Sequence, residues 1–292
     1  MLAVVAASTL DYVVEQPQLG GPAYYIGMAA LHINSQTLLV TTKSSVSDFL
    51  KRRSDFLNVL SIVEVGDGET IFKIDILGDN RSLKLIKQSK IEVRQALEVV
   101  KKCSAVVVST TYSELNLEEL SELARERIVV VDIQGFIRKA VRNGGVVHDT
   151  QRVFKLGRHL RTSKRAILRG ERSEFPVECW ADPLRCSEEL KADIVITSGR
   201  EPFKVVSYST KCFYEVEPLQ GIYGESIGLG DVFTEVLAHY LINENLEFLE
   251  AAAIASIAAS LKLRNRYPWF TIHELEILKD KIQVLREVCD SR

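Results

Sequence analysis

The chain has 292 residues, 46% of them hydrophobic and 26% charged, with a formal net charge of −2 at pH 7. That length and apolar content support one large core, and the near-neutral balance excludes a bulk electrostatic drive toward nucleic acid or anionic membrane. The apolar start, 2–7, lacks a basic flank and meets Asp11 too soon for a signal peptide, and the apolar run 251–259 is far short of a membrane span.

Along the chain, short β-rich apolar runs alternate with amphipathic stretches. Strands are predicted over 2–7, 37–41, 105–109, 128–132, 166–168 and 194–197, with helices over 22–33, 45–53, 91–103 and 117–125 between them. Such alternation predicts an α/β fold: βαβ units forming a parallel sheet covered by helices on both faces. Two segments interrupt it. Residues 9–15 alternate apolar and polar, and 70–77 and 82–87 flank Gly78-Asp79-Asn80-Arg81, a strong hairpin signal. Together, about 9–16 and 68–88 form either an edge extension or a lid over a site. The last third reads as consecutive helices over 231–242, 246–263 and 271–288. No repeat or linker divides the chain, so 1–292 is read as a single domain. Five cysteines (Cys103, Cys179, Cys186, Cys212 and Cys289) form no CxxC pair and no His-linked cluster, so free thiols in a reducing, cytoplasmic protein are expected.

The most informative motif is Gly224-Glu225-Ser226-Ile227-Gly228-Leu229-Gly230-Asp231, which runs into Val232, Phe233, Val236, Leu237 and Tyr240 at helical spacing. Backbone N–H groups bared by Gly228, Leu229 and Gly230 at a helix N-terminus form a socket for an anion. Asp231 in that socket is suited to taking a proton from a hydroxyl that attacks phosphate. The plain alternative is a loop in which Asp231 merely caps the helix.

Four weaker motifs accompany it. Gly20-Gly21-Pro22 is an ordinary turn or a backbone platform for a polar ligand, with Asp11 facing it. Asp132, Gln134 and Arg138 fall at the carboxyl edge of a strand, where such sheets bind ligands. Leu168-Arg169-Gly170-Glu171-Arg172-Ser173-Glu174 is a solvated turn or a site for water-coordinated Mg²⁺. Thr197-Ser198-Gly199-Arg200 lines a nucleotide or makes a turn. The basic run 155–172 lacks the aromatic interleaving of a nucleic-acid surface, and no Walker-type phosphate loop occurs.

In order and spacing, these motifs resemble the ribokinase (PfkB) family of sugar and nucleoside kinases over essentially the whole chain. Glu225-Ser226-Ile227-Gly228-Leu229-Gly230-Asp231 looks like its D-T-x-G-A-G-D signature, and Gly20-Gly21-Pro22-Ala23-Tyr24-Tyr25 like its G-G-x-A-x-N signature. Glu171-Arg172-Ser173-Glu174 matches its N-x-x-E motif only at the last residue. The segment from Asp132 to Arg138 is similar to that of inositol-kinase-like and archaeal members.

The resemblance implies a ribokinase-like three-layer α/β/α sandwich with a small β lid, and a cytoplasmic kinase that uses ATP and Mg²⁺. Asp231 would be the base, with Gly228, Leu229 and Gly230 as the anion hole. Asp11, Gly20, Gly21 and Tyr25 would contact a small polyol, with Gln134 and Arg138 nearby. Thr197, Gly199 and Ser226 would border the nucleotide, and Glu174 would place Mg²⁺ through water. Dimerisation through the lid is also implied. Tyr25 and Glu171 stand where relatives carry Asn, which leaves a sugar, an inositol or a nucleoside open as acceptor, and a degenerate non-catalytic relative open as well. Glu225 lies where relatives arrange a monovalent-cation site, so that requirement stays open.

Overall fold

A computed structural model of the protein describes residues 2–53, 59–77, 80–142 and 144–290, with no side-chain description at 76, 77, 80 and 81. The chain enters through β1 (Leu2–Ala6), β2 (Thr9–Val13), β3 (Gln16–Gly20), α1 (Gly21–His32), β4 (Thr37–Lys43), α2 (Ser45–Arg52) and β5 (Leu60–Asp67). It continues through β6 (Thr70–Leu77), β7 (Asn80–Lys87), α3 (Val93–Val100), β8 (Ala105–Ser109), α4 (Leu117–Ala124), β9 (Ile128–Asp132) and α5 (Gln134–Ile137). Next come β10 (Arg138–Ala140), β11 (Val146–His148), α6 (Arg152–His159), β12 (Arg165–Glu171), α7 (Val177–Ala181), α8 (Pro183–Leu190) and β13 (Asp193–Ser198). The remainder is β14 (Glu201–Ser207), β15 (Cys212–Glu217), α9 (Leu229–Ala238), α10 (Phe248–Lys262), α11 (Ile272–Leu278) and β16 (Gln283–Cys289).

Ten strands form the main sheet in the order β16-β15-β14-β13-β12-β9-β8-β1-β4-β5. The seven from β13 to β5 run parallel, and β14, β15 and β16 extend that sheet as an antiparallel meander. The central strands β1, β8 and β9 are buried on both faces, which explains their near-continuous Val and Ala runs. One core packs α1, α9 and α10 on one face, and the other packs α3, α4, α6 and α8 on the opposite face. The three-layer α/β/α sandwich is therefore present.

A separate four-stranded sheet, β3-β2-β6-β7, stands outside the main one. Its β2–β3 hairpin turns through Val14 and Glu15, both at positive φ, and takes Gln16–Gly20 as a strand beyond the boundary expected from sequence. The second hairpin is present as β6 and β7; the Gly78-Asp79 part of its turn lies outside the described residues. At its root the buried Glu114 accepts hydrogen bonds from Thr70 Oγ1 (2.6 Å) and from the backbone N–H groups of Thr111 and Tyr112. Leu85 N–H bonds Gly144 O at 2.9 Å, which ties β7 to the small β10–β11 hairpin.

Three expectations fail. Residues 271–288 are not one helix: α11 ends at Leu278, and 283–289 becomes β16, pairing with the open edge of β15. An unpaired strand edge is a strong template for such pairing, and the chain's own end satisfies it. The helix expected over 231–242 likewise stops at Ala238 and continues as a π-helical turn over His239–Asn243. The cysteines also depart from the free-thiol expectation. Cys179 is bonded to Cys186, and Cys212 to Cys289; Cys103 alone is free, and buried. Cys212 and Cys289 are register partners across β15 and β16, a proximity that a sequence separation of 77 does not reveal. Among the described residues no helix is long and apolar enough to cross a membrane.

Candidate active site

The carboxyl ends of the parallel strands converge on a cavity of about 440 Å³. Its floor is Ser226, Gly228, Leu229, Gly230 and Asp231. Arg169, Glu171 and Glu174 form one side, Gln134 and Arg138 another, and Ser82, Leu83 and the β10–β11 hairpin form its roof. The second sheet thus covers a site at the sheet edge, the geometry of a lid.

The floor is built by one glycine. Gly228 is the N-cap of α9 at φ +80°, and a Cβ there would fall 2.4 Å from the Tyr25 ring. Only glycine accepts both the left-handed backbone and that approach. With no side chain capping the helix, its first N–H groups are free of a capping side chain. Asp231 lies within the first turn and is not the cap. It is 6% exposed, and its Oδ1 has no hydrogen-bond partner. Burial, then the neighbouring Asp132 carboxylate, push its carboxyl up to about 8, while Arg169 and Arg138 pull it down.

Arg169, at the end of β12, reaches this floor. A Cβ on Gly230 would meet its Nη1 at 2.1 Å, so the guanidinium lies against the helix N-terminus. Arg169 donates to Asp132 Oδ2 at 2.9 Å and to Thr197 Oγ1 at 3.1 Å, and Asp132 Oδ1 accepts from Gln134 N–H at 3.1 Å. This buried fork leaves a cation at the helix end where an anion would sit. Sequence reading missed it, because the charge run around Arg169 looks like a solvated turn. Its signal was a single arginine between apolar strand residues and Gly170.

The residues named from sequence divide into three groups. Asp231, Gly228, Leu229, Gly230, Gln134, Arg138, Glu174 and Ser226 share the cavity. Ser226, expected to border the nucleotide, lies on the cavity floor. Asp11, Gly20, Gly21 and Tyr25 do not line it; they form the layer beneath. A Cβ on Gly20 would lie 2.2 Å from Asp11 Oδ2, and Gly21 turns at φ +77° against Thr9. Burial raises the Tyr25 phenol strongly, reinforced by the negative charges of Asp11, Asp231 and Glu225. Thr197 and Gly199 line an adjoining recess of only about 70 Å³, bounded by Phe203, Pro218, Phe233 and Ser256; it shares Arg169, Glu171 and Leu229 with the main cavity.

Glu174 is buried, and burial raises its carboxyl to about 7 with Asp132 adding to the effect. One of its oxygens accepts Glu171 N–H at 2.8 Å. Glu171 and Glu174 both reach the cavity, and such a carboxylate pair is the hard-oxygen donor set that suits a hydrated Mg²⁺.

No family model matches the sequence, and no curated protein does. Solved structures do. A pyrophosphate-dependent kinase in the ribokinase family, complexed with a pyrophosphate analog and myo-inositol, is 18% identical with a TM-score of 0.72, over 94% of this chain and 99% of that one. Ribokinase from Thermotoga maritima is 15% identical with a TM-score of 0.67, over 96% and 99%. A nucleoside kinase from Burkholderia thailandensis in complex with inosine is 14% identical with a TM-score of 0.67, over 96% and 97%. Coverage of both partners is nearly complete, and the chain has the ribokinase-like fold.

Proposed function

We propose that the protein is a kinase that transfers the terminal phosphoryl group of ATP to a hydroxyl of a small polyol, a sugar or an inositol. The observation that carries this reading is the buried, unpartnered Asp231 carboxyl beside an uncapped helix N-terminus and Arg169, all facing one roofed cavity. In its ionised form, Asp231 takes the proton of the acceptor hydroxyl as the hydroxyl oxygen bonds to the terminal phosphorus; the phosphoanhydride bond breaks and the diphosphate leaves. The backbone N–H groups of Gly228, Leu229 and Gly230, with Arg169, hold the charge that develops on the phosphoryl oxygens. Gln134 and Arg138 orient the acceptor, while Asp11 and Tyr25 support it from below, with Gly20 giving Asp11 its room and Gly21 turning closely against Thr9. Thr197 and Gly199 border the donor. Glu174, with Glu171, would hold Mg²⁺ through water, which supplies positive charge to the phosphates. The second sheet excludes water so that the donor is not hydrolysed. Pairing of two copies through that sheet is part of this reading, with Tyr12, Val14 and Ile86 exposed on its two hairpins.

A second donor, inorganic pyrophosphate, is suggested by the similar pyrophosphate-dependent kinase of the ribokinase family, because Thr197 and Gly199 border both a narrow recess of about 70 Å³ and a wider one of about 480 Å³ and so do not fix the donor's size. The test is a matrix of acceptors (inositols, pentoses, hexoses and nucleosides) against ATP and pyrophosphate with Mg²⁺, followed by phosphorylated product. Turnover with a polyol supports the kinase reading, and the preferred donor decides between the two phosphates. Turnover restricted to nucleosides replaces the polyol. No turnover with any pair, despite ligand-induced stabilisation, means a binding protein instead.

A further inference from the structure

Helix α10 is apolar or small along almost its whole length, yet it ends on Lys262, whose exposure is 0%. A fully buried lysine is rare unless something holds its charge. Here the Nζ donates to two main-chain oxygens, Glu225 O at 3.0 Å and Ile227 O at 2.5 Å, and lies 5.4 Å from the centre of the Tyr25 ring. Burial lowers the ammonium to about 8, opposed by Glu225 and Asp231.

Both oxygens belong to the segment that leads into the anion socket, and α10 grips that segment a second time, through Glu225 N–H to Leu263 O at 3.2 Å. In a trans peptide the C=O and the following N–H point opposite ways. Carbonyls of Glu225 and Ile227 drawn to Lys262 therefore turn the N–H groups of Ser226 and Gly228 to the other side, and Ser226 and Gly228 both line the cavity. Cation on one face and anion socket on the other are two sides of the same peptides. A pair of carbonyl oxygens converging on one point is also the donor chemistry of a weakly hydrated monovalent cation, the ion whose requirement the family resemblance leaves open for this segment. The residues present do not fit such an ion, because an ammonium already bonds both oxygens.

We propose that Lys262 is a positioning residue, a tethered cation that replaces an exchangeable monovalent ion and keeps the phosphate socket formed without one. This rests on the phosphotransferase reading for its consequence in turnover, but not for its consequence in anion binding.

The experiment compares wild type and Lys262→Met in tetramethylammonium, K⁺ and NH₄⁺ chlorides at one ionic strength of about 0.1 M, so that screening is constant. Two readouts are taken: the melting shift induced by Mg²⁺-pyrophosphate or a non-hydrolysable ATP analogue, and turnover with the best polyol. Wild type should give the same shift and turnover in all three salts. Lys262→Met should lose about 10- to 100-fold in kcat/KM for the donor in tetramethylammonium, the worth of hydrogen bonds to a charged group, with K⁺ or NH₄⁺ restoring most of it. Wild-type activation by K⁺ of more than about threefold overturns the proposal, and so does a Lys262→Met protein fully active in tetramethylammonium. Should Lys262→Met not fold, the wild-type salt comparison decides alone. A salt-independent shift with no turnover on any acceptor removes the kinase reading and leaves the tethered cation standing; no shift with either donor in any salt removes both.

Discussion

Replacing Asp231 by asparagine should weaken catalysis and strengthen the fold, and the two effects have separate signatures. The carboxyl is raised from an ordinary 3.8 to about 8 in the folded protein, mainly by burial. The unfolded chain releases that proton near 3.8 and the native chain keeps it, so between those values the native state binds more protons. Stability then falls as pH rises through the window. At 1.36 kcal/mol per unit, this one group can contribute a slope of up to about 1.4 kcal/mol per pH unit, or roughly 6 kcal/mol across the window. Asparagine carries no such proton. The advantage of Asp231→Asn over wild type, from urea unfolding at several values between about pH 5 and pH 8, should widen steadily as pH rises. Burying the amide without a partner subtracts a constant of about 1–3 kcal/mol and leaves the slope untouched. In the phosphoryl-transfer assay the same protein should lose about two to four decades of turnover, the usual worth of a positioned base. Parallel stability curves would show that Asp231 is not held protonated, and near-normal turnover would show that it is not the base.

Other consequences can be measured on the same footing. Gly228→Ala combines a φ of +80° with a Cβ 2.4 Å from the Tyr25 ring, and should cost at least about 1–2 kcal/mol in unfolding experiments and most of the turnover. Gly221→Ala, at φ +78° with nothing within 4 Å and outside the site, is the control: it carries backbone strain alone and should leave turnover within a few-fold. Arg169→Met breaks the buried pair with Asp132 and should destabilise by about 3–5 kcal/mol. Arg169→Lys keeps the charge without the fork, and should show a donor KM raised about tenfold with a smaller stability loss. Reducing the Cys212–Cys289 bond, which spans a sequence separation of 77, should cost up to about 4 kcal/mol, against about 2–3 kcal/mol for Cys179–Cys186 at a separation of 7. Urea unfolding of the Cys→Ser pairs distinguishes them.

Sequence alone determined whatever is written locally. Apolar runs of strand length between amphipathic stretches specified the parallel sheet and its two helical layers, because burial on both faces demands continuous Val, Ile and Ala. Gly228, Leu229, Gly230 and Asp231 announced themselves because a helix start that bares its own N–H groups needs glycine at its turn and little bulk in the first positions after it. What only the tertiary structure decided depends on contacts between distant segments. The 283–289 segment became a strand because the edge of β15 lay open beside it, and Cys212 found Cys289 through that pairing. Arg169 gained its meaning from Asp132 on the neighbouring strand and from Gly230 on α9. In sequence Lys262 is only the last residue of an apolar run, and the fold alone places two carbonyl oxygens, 35 and 37 residues earlier, around its ammonium. A periodic pattern records which face is buried; it carries no information about which distant charge that face will meet.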